Sequence, residues 1–192
     1  MRVLSDRRVA WVVLVVVALT SLVGFGGRAL RQERSVVEAV FNDGTDTSVG
    51  AHLLSMDAYL DHCADYAAIL LREYRTHASE DTDAVLQVEQ LAAVIGAGSD
   101  YDARYTAYLA FQENVEALYV DFKALNLTEA ESKAFMDAYD NIRLDETDKL
   151  RRDGYHDIAR AFNATLKSFP ASVIAKLSGV RTMNTFDGDA VR

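Results

Sequence analysis

The residues of this chain best suited to chemistry are three aspartates and a histidine on one predicted helix. Asp57, Asp61 and Asp65 recur every four residues and flank His62. Carboxylates and an imidazole at helical spacing could hold a metal ion or exchange protons with a substrate. The aspartates lie at the edge of an apolar stripe, so a solvated helix face is the favoured interpretation. A metal-binding or enzymatic bundle that uses this Asp/His face is the alternative.

The sequence lacks the spacings that other kinds of site require. Di-metal helical bundles use Glu-x-x-His pairs, and nucleotide-binding and hydrolase sites use glycine-rich or Gly-x-Ser-x-Gly motifs. None of these patterns occurs in the chain. The single cysteine, Cys63, excludes an internal disulfide and a cysteine-based zinc site. We therefore predict no catalytic residue, no metal and no cofactor.

The elements that would position any site begin with an apolar N-terminal segment. Val9–Gly27 contains nineteen residues without a charge. As a helix it would span about 28 Å, close to the ~30 Å hydrocarbon core of a bilayer. We predict an uncleaved anchor that contacts the lipid bilayer through residues 9–27. A removable signal peptide is the alternative, although its apolar core usually has only about 7–15 residues and it ends in a small-x-small pattern that is missing here.

The charges around this segment bear on orientation and on partners. Three arginines precede the segment and three follow it, so only the N-terminal amine favours a soluble domain outside the cytoplasm. Residues 1–34 carry a net charge of +4 and the whole chain −9, which leaves −13 on residues 35–192. Such an acidic surface repels phosphate backbones and anionic headgroups. We predict no nucleic-acid partner.

Beyond the anchor, apolar residues recur at alternating spacings of three and four, which is typical of amphipathic helices. One helix is predicted from about Val49 to Thr76 and another from Asp100 to Leu125, with a shorter helix between them. The stripe of the first contains Leu53, Met56, Leu60, Cys63, Ala67, Leu70 and Tyr74, and the stripe of the second contains Tyr101, Tyr105, Tyr108, Gln112, Val115, Tyr119 and Phe122.

The remaining helices are predicted from caps and breakers. The anchor helix is expected to continue until Asn42-Asp43-Gly44, and a capping box at Thr128–Glu131 begins a helix of about forty residues that can run to Phe169. Pro170 should end that helix and start a short one. The apolar face of this short helix could dock on the bundle, on the bilayer or on a partner, and we expect the bundle because an acidic domain should not lie flat on anionic lipid. Each stripe needs partners, which predicts an all-α fold: an N-terminal transmembrane helix followed by an antiparallel bundle of three to four long helices.

Short motifs follow one another between residues 151 and 186. They are Arg151-Arg152, Tyr155-His156, Ala161-Phe162-Asn163, and Phe169-Pro170 followed by Ile174-Ala175-Lys176, with Phe186 near the end. This order resembles the end of the LemA family, in which Arg-Arg-x-Tyr-Asn leads to Tyr-Asn, then to Phe-Pro and to an apolar pair with Ala-Lys. The family-motif positions are Arg151, Arg152, Tyr155, Phe162, Asn163, Phe169, Pro170, Ile174, Ala175 and Lys176.

The match departs from the family pattern in places. His156 replaces an Asn, Phe162 replaces a Tyr, and the Arg-Arg and Ile-Pro segment of the first soluble helix is missing. The chain therefore resembles a divergent member. The resemblance implies a membrane-anchored helical bundle without assigned catalytic residues or cofactor. We expect a non-enzymatic scaffold or interaction module with an unknown protein partner, in the bacterial cytoplasmic membrane at the cell envelope.

These expectations combine into one domain plan. Residues 1–8 form a short basic tail, 9–27 a transmembrane helix and 28–48 a helical continuation and connector. Residues 49–178 form the helical bundle, and 179–192 a flexible C-terminal tail.

Overall fold

The computed structural model describes residues 7–46, 52–53, 55–97, 100–144 and 154–186. This part of the chain folds into seven α-helices and one pair of two-residue strands, so the predicted all-α class is confirmed. The elements are α1 (Arg7–Asp43), β1 (Thr45–Asp46), β2 (His52–Leu53), α2 (Met56–His77), α3 (Asp83–Ala97), α4 (Tyr101–Ala124), α5 (Glu129–Leu144), α6 (Gly154–Lys167) and α7 (Ala171–Ser178).

The chain forms two compact units. The α1–α7 unit contains Met1–Ala39 and Asp157–Met183, and the bundle unit contains Val40–His156 and Asn184–Arg192. The predicted bundle of residues 49–178 is thus divided, because most of α6 and all of α7 group with α1 rather than with α2–α5.

Helix α1 continues without a break from the apolar run to Asp43, as predicted. Gly44 follows with a φ of 76°, a conformation that glycine adopts without steric cost and that ends helices. The helix is long and apolar enough to cross a membrane, and its most apolar stretch is not buried within the protein. Trp11 and Val12, for example, are about 60% exposed. Such exposure distinguishes α1 from the core helix of a globular domain.

Consecutive helices of the bundle unit run antiparallel. Gly96 at the end of α3 lies against Ala64 in the first half of α2, where an added Cβ would be 3.3 Å from the Ala64 Cβ. Near the end of α4, the ring of Phe122 stacks on Phe135 in the first half of α5, with centroids 3.7 Å apart. The capping box that starts α5 forms as predicted, because the Thr128 amide donates to the Glu131 carboxylate at 2.9 Å.

Helix α2 begins later than the sequence predicts. Ser55 caps it by accepting a hydrogen bond from the Ala58 amide at 3.0 Å. His52 and Leu53, predicted as helix, instead pair with β1, and residues 49–51 lie outside the described residues. The predicted stripe from Met56 onward is confirmed, since its members are at most 4% exposed: Met56, Leu60, Cys63, Ala67, Leu70 and Tyr74.

The structure describes the two ends of the predicted forty-residue helix as α5 and α6, and residues 145–153 between them lie outside the described part. Helix α6 ends at Lys167, and α7 begins directly after Pro170, so the predicted change of helix at this proline is confirmed. The Phe169–Pro170 peptide bond is cis.

Helix α7 packs on α1, although its apolar face was expected to dock on the bundle. A Cβ added at Gly26 would be 2.8 Å from Ile174 Cδ1, and one added at Gly27 would be 2.8 Å from Ser178 Cβ. Only residues without a Cβ allow the two helices to approach this closely. Arg31 then donates to the Ser178 carbonyl at 3.0 Å, and Arg34 to the Arg181 carbonyl at 3.3 Å.

Part of the segment predicted as a flexible tail, residues 179–192, is held against α6. Met183 and Phe186 are both 3% exposed. Their backbone amides are hydrogen-bonded to Asn163 at 2.9 Å and to His156 at 3.1 Å. Side chains on α6 therefore hold the segment in place as far as Phe186, and residues 187–192 lie outside the described part.

Candidate functional site

One polar site of the bundle unit is built around a buried arginine on α4. Arg104 belongs to the stripe that α4 buries, which continues through Tyr108, Phe111, Val115, Leu118 and Phe122. Its side chain is 4% exposed. Because guanidinium remains protonated in proteins, this stripe carries a positive charge into the core, where only paired charges are tolerated.

Contacts from two other helices satisfy this charge. Arg104 Nε donates to the Ile95 carbonyl at the end of α3, at 2.7 Å, and Nη1 donates to the Asp57 carboxylate on α2. Nη2 lies 3.8 Å from Asp61 Oδ1, which is an ion pair but too long for a hydrogen bond. The guanidinium carbon also lies 5.6 Å from the centre of the Phe41 ring, within range of a cation–π interaction.

A pocket of about 410 Å³ opens beside this arginine. Its lining residues are Asn42, Asp57, Asp61, Gly96, Ala97, Tyr101 and Arg104. Partial burial and the neighbouring Asp57 carboxylate raise the pKa of Asp61, although Arg104 opposes the effect. The site offers carboxylates, an amide and a hydroxyl to a polar ligand, but its Asp57 carboxylate is already paired with Arg104, and this pair ties α2 to α4.

The predicted Asp/His face is thus divided by the structure. Asp57 and Asp61 meet Arg104, while Asp65 is exposed one turn further along α2 and His62 is partly exposed. Among the described residues, no group of three or more His, Cys, Asp or Glu side chains is arranged to hold a metal ion. The two aspartates of this face nearest the start of α2 have arginine as their partner.

An aromatic cluster next to Arg104 joins several elements of the bundle unit. The Phe41 ring lies 4.8 Å from Tyr101, 5.3 Å from Tyr155 and 5.8 Å from Phe186, measured between centroids. Phe186 also packs against Tyr105 at 5.2 Å. The last turn of α1, the start of α4, the start of α6 and the C-terminal segment therefore share one apolar core.

The motif positions at the start of α6 hold the C-terminal segment. Tyr155 is 1% exposed, and its hydroxyl donates to the Asn184 carbonyl at 2.7 Å. Beside it, His156 Nε2 accepts the Phe186 amide. His156, which departs from the family pattern, thus forms a structural hydrogen bond. Arg151 and Arg152 lie outside the described residues.

The other motif positions fall in the α1–α7 unit. Asn163 donates to the Met183 carbonyl at 2.7 Å and accepts the Met183 amide, so it pairs with both polar groups of that residue. Phe162, Ile174 and Ala175 are buried. Phe169, Pro170 and Lys176 are exposed, and Phe169 is 86% exposed. Two motif positions, Tyr155 and Asn163, therefore hold the segment that follows α7, while Phe169 contacts little of the protein.

Two features of the site were missed from the sequence. The stripe of α4 was read through Tyr101 and Tyr105, but the buried positions begin with Arg104, four residues before Tyr108. The four-residue spacing between Arg104 and Tyr108 was the sequence signal that could have placed Arg104 on the buried face. The burial of Met183 and Phe186 has no helical periodicity that could have predicted it, because single side chains of α6 hold this segment.

The chain was compared with known proteins of three kinds. It matches no family model, no curated protein and no solved structure at a significant level.

Proposed function

We propose that the chain is a single-pass, membrane-anchored helical-bundle protein of the LemA type, which acts as a non-catalytic scaffold or interaction module at the bacterial cell envelope. The observation that carries the proposal is the continuity of α1, which runs for 37 residues from the apolar segment into the aromatic cluster of the bundle unit.

The role of the motif residues supports a scaffold. Tyr155 and Asn163 form hydrogen bonds to the backbone of the C-terminal segment, and Ile174 packs on α1. None of these three contacts requires a ligand. These three of the ten motif positions thus have roles within the fold, which is compatible with a family without assigned catalytic residues.

The first experiment tests the anchor. Membranes from cells that express the full chain are washed with alkaline carbonate, and the N-terminus of the retained protein is sequenced. We expect the protein to stay with the membranes and to retain residues 9–27. A soluble protein whose N-terminus lies beyond Gly27 would show that the segment is a signal peptide.

The second experiment tests for a partner. A photo-crosslinking amino acid replaces Val120 on α4, which is 65% exposed, in the full chain within native membranes. Lys133, exposed on α5, is the matched control position. We expect one or more discrete crosslinked proteins whose identity depends on the labelled position. The label is then moved in turn to the other exposed positions of α2–α5. If no crosslinked protein appears at any of them, the interaction role is contradicted.

The metal-binding or enzymatic alternative uses the Asp/His face of α2. It is tested by the metal content of the full-length protein purified in detergent without chelators. One bound metal ion per chain, lost in an Asp57→Asn variant and kept in an Asp65→Asn variant, would favour that alternative over the scaffold.

A further inference from the structure

An apolar stripe on α7 and on the turn before it has no partner within the α1–α7 unit. Phe169 is 86% exposed, Val173 49% and Leu177 64%. The three residues are spaced four apart, and Val173 and Leu177 lie one helical turn apart on the same face of α7. The opposite side of α7 is occupied, since Ile174 and Ser178 contact α1.

The contacts between α7 and α1 set the level of this stripe along α1. Ile174 meets Gly26, Ser178 meets Gly27 and Arg31, and Arg181 meets Arg34. Along these contacts the residue numbers of both segments rise together, so α7 runs in the same direction as α1. The turn with Phe169, which precedes Ile174 by five residues, therefore lies toward the apolar end of α1.

Gly27 is also the last residue of the charge-free run, and Arg28 is the first charge after it. In a spanning helix, the first charged residues mark the edge of the hydrocarbon core. Helix α7 thus begins at the level where α1 would leave the membrane. Phe169 would reach the acyl chains, and Val173 and Leu177 the headgroup region.

The charge of this region fits an anionic lipid surface, although the chain as a whole is acidic. Residues 158–186 contain four basic residues, Arg160, Lys167, Lys176 and Arg181, and no acidic residue. Residues 35–157 contain 25 acidic and nine basic residues. Lys167, two residues before Phe169 at the end of α6, and Lys176, next to Leu177 in α7, are both exposed. Basic residues next to an apolar helix face are typical of interfacial amphipathic helices.

We propose that the stripe Phe169, Val173 and Leu177 is a second membrane contact, inserted into the anionic leaflet from which α1 emerges. The inference rests on the proposed anchor, because the leaflet is located by the end of the spanning segment. The protein then holds the bilayer by a spanning helix and by an interfacial helix docked to it. Insertion removes the exposed apolar stripe from water. Contiguous exposed apolar patches often mark sites of membrane or protein contact.

The test uses the full-length protein in vesicles of phosphatidylcholine and phosphatidylglycerol at three to one. In a Cys63→Ala background, single cysteines at Val173, Val15 and Val120 carry an environment-sensitive fluorophore. Lipids with a nitroxide at a shallow or a deep acyl carbon act as quenchers. We expect the label at 173 to be quenched most by the shallow nitroxide, that at 15 by the deep one, and that at 120 by neither.

The outcomes separate the two proposals. If the label at 15 is quenched but the label at 173, like the one at 120, is quenched by neither nitroxide, the interfacial contact is overturned and the anchor stays in place. The same result is expected if a protein partner rather than lipid covers the stripe in cells, because the vesicles contain no such partner. Absence of quenching at 15 would instead overturn the anchor itself.

A charge variant tests the lipid specificity. Lys167→Glu with Lys176→Glu should reduce quenching at 173 at least about threefold in the anionic vesicles and leave quenching at 15 unchanged. Lys133→Glu, on the exposed face of α5, is the matched control and should change neither. An equal effect of both charge variants at 173 would contradict recognition of headgroups by the α7 lysines.

Discussion

Adding one methyl group at Gly27 should loosen α7 from α1. The new Cβ would lie 2.8 Å from Ser178 Cβ, a separation that real Cβ atoms do not adopt. Ser178 Cβ is attached directly to the backbone, so α7 itself must move. At Gly26, by contrast, the obstructing atom is Ile174 Cδ1, the far end of a side chain that can rotate. Gly27→Ala is therefore the sharper perturbation.

Gly24→Ala is the matched control, because nothing lies within 4 Å of a Cβ at Gly24. Both substitutions raise helix propensity by up to about 1 kcal/mol, so this effect cancels in their comparison. Overpacking then costs Gly27→Ala about 1–3 kcal/mol. The cost has a ceiling, since α7 can detach by giving up the burial of Ile174, worth about 1.5–3 kcal/mol.

Hydrogen exchange of α7 amides, measured on full-length protein in detergent, reports the docking equilibrium directly. A cost of about 1.4 kcal/mol corresponds to tenfold faster exchange, so we expect Gly27→Ala to accelerate α7 exchange by roughly 10-fold to 100-fold. Ser178→Gly removes the obstructing atom and should restore slow exchange in the Gly27→Ala background. Identical α7 exchange in Gly24→Ala and Gly27→Ala would refute the close-packing explanation.

Three further predictions concern the bundle unit and are checked by denaturant melts of full-length protein in detergent. Leu60→Ala or Leu70→Ala should cost about 2–5 kcal/mol, because both leucines are fully buried, and Asp61→Ala should be nearly neutral. Arg104→Met should destabilise by about 1–3 kcal/mol because it leaves the Ile95 carbonyl and the Asp57 carboxylate without their hydrogen-bond donor; a neutral result would contradict a stabilising role for these two contacts. Asp61→Asn should be slightly more stable than the natural chain at pH 7, because the raised pKa of Asp61 disfavours its charged form in the folded state. That difference should vanish as the pH falls below the usual value of 3.8, where Asp61 is neutral in both states, and a gap that widens toward low pH would contradict it.

Much of the fold could be predicted because it is encoded locally. The stripe from Met56 to Tyr74 depends only on helical periodicity, and its members are buried as predicted. The capping box at Thr128 and the helix change at Pro170 depend on residues within one turn. Periodicity, caps and proline act through backbone geometry, so they do not depend on which elements pack together.

The features that were missed depend on contacts between distant segments. His52 and Leu53 continue the helical pattern, yet they pair with β1 while Ser55 caps α2. The burial of Arg104 follows from Asp57 and the Ile95 carbonyl, which belong to two other helices. Met183 is held by one asparagine twenty residues earlier. Such pairings leave no period in the sequence, because each joins one residue to one distant partner.

The docking of α7 shows how an average over the sequence can mislead. A net charge of −13 on residues 35–192 indicates a domain repelled by anionic lipid, and on that ground α7 was expected to pack on the bundle. Charges in water act only over a screening length of about 8–10 Å, so a surface responds to its own charges rather than to the net charge. Residues 35–157 carry −16, whereas residues 158–186 carry +4 and contact the basic end of α1 through Arg31 and Arg34. For the proposed membrane contact, this means that the acidic bundle surface would be repelled by anionic lipid, whereas the basic segment beside the end of the apolar run is suited to bind it.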